Sequence, residues 1–110
     1  MTFNAQYQFS HEQLDCYRLA VEVARWMRKA QFPRSAADLK DHGVRSSNSA
    51  ALNIAEGKAR GGKAEKNHYR IAHGSAAEAC SVLDVVDLEG GEEQQQKLRR
   101  VGAMLNRMAR

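Results

Sequence analysis

Very little in this chain can interrupt a helix. Its 110 residues hold a single proline, Pro33, and four of its eight glycines stand in two adjacent pairs, Gly61-Gly62 and Gly90-Gly91. Cysteine is almost as scarce. Cys16 and Cys80 have no metal-ligand spacing, and in a chain without an export signal they read as reduced, apolar packing residues rather than a disulfide or redox pair. Aromatic residues make up only 6%. No run approaches the roughly 20 apolar residues that a membrane span needs. The opening M-T-F-N-A-Q-Y-Q-F-S has neither the basic region nor the apolar core of a signal peptide, so the expected compartment is the cytoplasm. At 43% hydrophobic, a chain this short reads as one small domain whose limited core makes oligomerisation a natural way to bury more surface.

The uninterrupted stretches carry helical periodicity. Leu14, Tyr17, Val21 and Ala24 recur at helical spacing behind a capping-box pattern at Ser10 and Gln13, predicting a first helix over about 11–30. A second apolar row, Cys16, Ala20, Val23, Met27 and Ala30, lies beside the first. So wide an apolar arc calls for neighbours on two sides, a subunit contact among them. Pro33 ends that helix, and Ser35 is the expected cap of a second over about 36–58, in which Gly43 marks a bend or a close approach. Gly61-Gly62 reverses the chain. The third helix, about 64–89, has the most regular seam: Tyr69, Ala72, Ala76, Ala79, Leu83 and Val86. The fourth, about 92–109, repeats Leu98, Val101, Leu105 and Met108. The expected fold is all-α, an antiparallel up-down four-helix bundle.

One polar stripe crosses this apolar pattern. Arg45, Ser49 and Asn53 are spaced i, i+4, i+8, and Glu56 continues the row amid small or apolar neighbours. With helices two and three folded about Gly61, Asn53 falls opposite about residue 68, Ser49 near Ser75 and Arg45 near Glu78. The expectation is a shielded Arg45–Glu78 ion pair, with Asn53 and Glu56 bonded to backbone or to a neighbouring subunit. Arg45, Ser49, the run Asn53-Ile54-Ala55-Glu56-Gly57, then Ala72, Gly74-Ser75 and Glu78, with Phe32-Pro33 upstream, resemble the family of 23S ribosomal RNA intervening-sequence proteins. The resemblance spans about residues 9–86. It implies an up-down four-helix bundle that assembles as a ring, commonly a homopentamer. It also implies kinship with the accessory protein of diversity-generating retroelements, which binds a reverse transcriptase and nucleic acid.

The net charge of +4 is unevenly spread. Basic residues gather in the turn after Gly57 (Lys58, Arg60, Lys63, then Lys66) and in the tail (Lys97, Arg99, Arg100, Arg107, Arg110), whereas residues 64–91 are net acidic. An anionic partner, RNA or DNA, fits this distribution, and Lys58, Arg60, Lys63 and Lys66 are the expected phosphate contacts. No aromatic residue interleaves with the basic turn, so backbone binding rather than base stacking is expected.

Catalytic chemistry finds no support. Ser49 and Ser75 have no histidine at fixed spacing, Arg45 with Glu78 offers no nucleophile, and the Gly61-Gly62 pair lacks the P-loop spacing. A di-iron bundle needs two Glu-x-x-His motifs, and only Glu65 to His68 is present; His11, His42, His68 and His73 read as surface or capping groups. No catalytic residue, metal or cofactor is expected. Two function classes stand: a non-enzymatic oligomer that binds nucleic-acid backbone, and a structural or protein-interaction scaffold that binds none.

Overall fold

The computed structural model describes residues 7–110, so most of the segment bearing on a leader lies outside the described residues. Four helices carry the fold: α1 (Asp15–Lys29), α2 (Ala37–Arg60), α3 (Gly62–Val85) and α4 (Gly91–Met108). Each packs on its chain neighbour, and α4 returns to α1 and closes the ring of four. Every adjacent pair is antiparallel. Met27 meets Gly43 while Lys40 reaches the Ala30 carbonyl, Ser49 meets Ser75 while Asn53 meets His68, and Cys80 meets Gln95 while Arg70 meets Ala109. Between α1 and α4, Cys16 lies by Met108 and Glu22 by Lys97.

The seams are mostly those expected. All six residues of the α3 row are buried, as are Leu98, Val101 and Leu105 of α4, with Met108 half-buried. In α1 the two rows exchange roles: Cys16, Ala20, Val23 and Met27 form the core, whereas Leu14, Tyr17, Val21 and Ala24 are only half-buried. Gly43 is a close approach and not a bend, since a Cβ there would sit 2.8 Å from Met27 Sδ.

The ends differ more than the middles. A 3-10 turn at Ser10–Gln13 and an extended Leu14 precede α1, so the first helix starts later than the expected residue 11. Ser10 does not cap it; the Glu12 carboxylate accepts the Phe9 N–H at 2.7 Å, which moves the capping interaction one residue earlier and ends in the short turn. Ser35 likewise lies in a 3-10 turn, Arg34–Ala36, and makes no cap bond. Only Gly61 separates α2 from α3, and its φ of 72°, with 62° at Gly62, is why two glycines stand there. α3 stops at Val85, short of the expected 89, because Val86 turns extended to stay buried and the chain crosses the bundle end through a left-handed Gly90. The Trp26 indole lies against Gly90, which makes Trp26 a cover for that end.

Candidate functional site

The polar stripe of α2 resolves into two parts. An α-helix turns about 100° per residue, so positions four apart drift by about 40° around its axis. That drift carries the stripe obliquely from the solvent edge, at Arg45 and Glu56, into the α2–α3 interface, at Ser49 and Asn53. The expected Arg45–Glu78 pair therefore does not form. Arg45 bonds Asp41 one turn back at 3.2 Å, with both side chains about two-thirds exposed (66% and 69%), and Glu78 faces His42 Nδ1 at 3.5 Å. All these groups except Asp41, with Ser46, Ser49 and Ser75, line a shallow pocket of about 270 Å³. Glu56 pairs with Arg60 at 2.7 Å, which holds its carboxyl below the usual carboxylate range.

The interior part of the stripe is a hydrogen-bonded relay. The Ser49 and Ser75 hydroxyls meet at 2.8 Å, as the register requires. Asn53 Nδ2 donates to the Ser49 carbonyl at 2.9 Å and to Ser49 Oγ at 3.1 Å, which turns Asn53 Oδ1 toward His68 Nδ1 at 2.9 Å. With the amide so oriented, Nδ1 of His68 is the donor. His68, read from sequence as a surface group, is thus an interhelical link; its place opposite Asn53 in the hairpin register was the available signal. Glu65 accepts the Tyr69 hydroxyl at 2.6 Å, so the single Glu-x-x-His motif divides between two separate bonds. Among the described residues, no group of three or more His, Cys, Asp or Glu side chains is placed to hold a metal ion. Both cysteines are free, and burial pushes their thiols up from the ordinary value. The relay has partners on both helices, Ser49 and Asn53 on α2 and His68 and Ser75 on α3, so its bonds favour the observed register. Replacing Arg45 with alanine, outside the relay, should change stability by less than about 0.5 kcal/mol in chemical denaturation. A loss of several kcal/mol would mean that the exposed Asp41 pair is not its main partner.

The basic residues converge at the opposite end of the α2–α3 hairpin from the Arg45 pocket. Lys63, Lys66 and Arg70 follow at i, i+3 and i+7 and share one face of α3. Arg70 donates to the Ala109 carbonyl at 3.0 Å and lines a cleft with Arg110, joining the basic turn to the basic tail. Lys63, Lys66, Arg70, Arg107 and Arg110 are exposed and form no ion pair among the described residues; Lys58 is half-buried and Arg60 is held by Glu56. Arg70 was not singled out from sequence, although its spacing from Lys63 and Lys66 was visible. Lys97, also counted with the tail, stands apart, 3.0 Å from Glu22 at mid-bundle.

The sequence from residue 12 to 107 matches the family model described as 23S rRNA-intervening sequence protein. The chain belongs to this family. The match takes in α1, α2, α3 and all but the last residue of α4, with the relay and Lys63, Lys66 and Arg70, and stops short of Arg110. The sequence matches no curated protein. Among the described residues, no helix is long and apolar enough to cross a membrane.

Proposed function

We propose that this protein is a non-enzymatic homo-oligomer that binds the backbone of nucleic acid through one basic end of its bundle. The observation that carries the proposal is the face of α3 shared by the turn cations Lys63 and Lys66 with Arg70, which lines a cleft with Arg110 of the tail. Phosphates need cations free to reach them, and these are exposed. Lys58 and Arg60 flank the patch as secondary contacts. The relay of Ser49, Asn53, His68 and Ser75 holds α2 against α3 and takes no part in chemistry, and the protein acts in the cytoplasm.

Oligomerisation is supported by apolar surface that one chain leaves uncovered. Tyr17, Val21, Ala24, Ala51 and Leu52 line a groove of about 290 Å³ between α1 and α2, rimmed by Arg25, Arg28 and Asn48, and Leu52 is 67% exposed. A second copy would cover this face, and a ring, such as the homopentamer that the family resemblance implies, would repeat the basic end around its axis. Repetition turns a weak patch into a strong one. The same groove also favours the scaffold reading, in which the apolar face is functional and the cations only keep the protein soluble.

Light scattering of the purified protein, alone and with an RNA duplex across a salt series, tests both parts. The expected result is an oligomer that binds at low salt and releases steeply as salt rises. The triple variant Lys63→Glu, Lys66→Glu, Arg70→Glu should bind at least about 100-fold more weakly near 50 mM salt and show a slope shallower by about 2–3. An oligomer indifferent to nucleic acid would leave the scaffold reading in place, and a monomer would remove both.

A further inference from the structure

We propose that the same basic end carries a stacking platform for the bases of single-stranded nucleic acid, formed by Phe9 and Tyr7. This rests on the nucleic-acid reading above and goes beyond it, since backbone binding alone needs no aromatic surface. Four rings follow one another in space: Tyr7 meets Phe9 edge-on at 5.3 Å, Phe9 stacks on His11 at 5.8 Å and 19°, and His11 meets Tyr17 edge-on at 4.6 Å. Tyr17 and His11 are half-buried at the inner end of the row, whereas Phe9 is 57% and Tyr7 70% exposed at its outer end. Exposed aromatic rings braced by other rings are what an unpaired base can stack upon.

The row is fixed in place by its own backbone. Glu12 accepts the Phe9 N–H through its carboxylate, and its own N–H returns to the Phe9 carbonyl at 3.0 Å. The Arg18 guanidinium holds the Glu12 carbonyl at 3.0 Å. A platform ordered in advance loses less conformational freedom on binding than a flexible arm.

Its position supplies the choice of ligand. The 3-10 turn Ser10–Gln13, which carries His11 and directly follows Phe9, packs on α2, and α1 runs antiparallel to α2 with Met27 against Gly43. Continuing that register back along α1 sets residues 10–13 beside the last turn of α2, Gly57 to Arg60, immediately before Lys63 and Lys66. The aromatic faces and the cations, about 50 residues apart in sequence, thus lie at the same end of the bundle. A strand whose phosphates track the cations can turn its bases onto Phe9 and Tyr7. A duplex cannot, because its bases are already stacked on one another. Recognition of a ring face is tolerant of sequence.

The test is fluorescence anisotropy of the full chain with labelled strands of about a dozen nucleotides, within the range of known single-strand sites. An intact single strand, the same strand made abasic at its centre and a matched duplex are compared, with RNA and DNA run in parallel to identify the preferred backbone. The double variant Tyr7→Ala, Phe9→Ala should bind the intact strand about 30-fold more weakly, bind the duplex within about 2-fold of wild type and keep the salt slope. Wild type should lose a similar factor on the abasic strand, where the variant loses almost nothing more. Phe9→Trp should retain single-strand affinity. Equal effects of the double variant on strand and duplex, or none on either, would overturn the platform while leaving backbone binding intact. Wild type that binds neither strand nor duplex would overturn both. The replaced rings are exposed, so an unchanged far-ultraviolet circular dichroism melt is expected and separates lost contact from lost fold.

Discussion

Tyr69→Ala is expected to destabilise the protein by about 3–5 kcal/mol, the range for removing a large buried aromatic ring. Tyr69 is 1% exposed and sits where α1, α2 and α3 meet: a Cβ on Gly57 would lie 3.1 Å from its ring, and it belongs to the core cluster with Cys16, Ile54 and Ala72. Gly57 beside the ring has no side chain to fill the gap, so the cavity left by alanine could be closed only by moving helices, and well-packed helices do so incompletely. Tyr69→Phe separates packing from polarity. It keeps the ring and removes the hydroxyl that donates to Glu65 at 2.6 Å; because Glu65 is half-buried and water can replace the donor, the cost should be about 1 kcal/mol. Urea denaturation of the three proteins gives both differences. A loss below about 1 kcal/mol for Tyr69→Ala would show that the α2–α3 contact can close around the gap.

The same residue sets an alkaline limit. Burial, and then the hydrogen bond to the Glu65 carboxylate, push the Tyr69 phenol well above its ordinary value, so the folded protein binds this proton more tightly than the unfolded chain. The resulting stability is fully present below the unfolded tyrosine value near 10 and is lost as pH rises beyond it toward the folded value. In Tyr69→Phe this contribution to the alkaline decline should disappear.

What could be read from the sequence follows from what periodicity encodes. The α3 row from Tyr69 to Val86 and the pairings Ser49–Ser75 and Asn53–His68 emerged from spacing and one hairpin pivot, because helices of constant rise joined by a one-residue link leave the register little freedom. Arg45 escaped the same logic. Register fixes height along the axis, but the angular drift of an i, i+4 stripe decides whether a side chain at that height faces a neighbour or solvent, and Arg45 falls on the solvent side next to Asp41. In α1, two apolar rows stood side by side, and only the third dimension decided that Cys16, Ala20, Val23 and Met27 face the core. The basic end was legible in pieces. Lys63 and Lys66 stood out as a cluster, yet their union with Arg110 through Arg70 depends on closure of the bundle.

Gly57→Leu is the second large expected effect, a loss of about 3 kcal/mol or more from overpacking. Gly57 ends the Asn53-to-Gly57 run, is buried, and lies where α2 and α3 approach closely on their way to Gly61. A Cβ at this position would stand 3.0 Å from the Glu65 carbonyl oxygen, 3.0 Å from His68 Cβ and 3.1 Å from the Tyr69 ring. None of these is the free end of a flexible side chain, so even Gly57→Ala requires the helices to part by a few tenths of an ångström, and that displacement would strain the Asn53–His68 bond one turn away. Alanine at an unhindered helical site should do the opposite, gaining up to about 1 kcal/mol over glycine. Gly74, in the middle of α3, is such a site: it is exposed, and an added Cβ would meet nothing within 4 Å. Both glycines lie in the sequence run that resembles the family, but their demands differ in sign. Thermal melts of Gly57→Ala and Gly74→Ala should therefore move in opposite directions, down for the first and up for the second. A rise for Gly57→Ala would show that the α2–α3 approach has slack, and the relay, rather than the glycine, would then be the feature that fixes helix spacing.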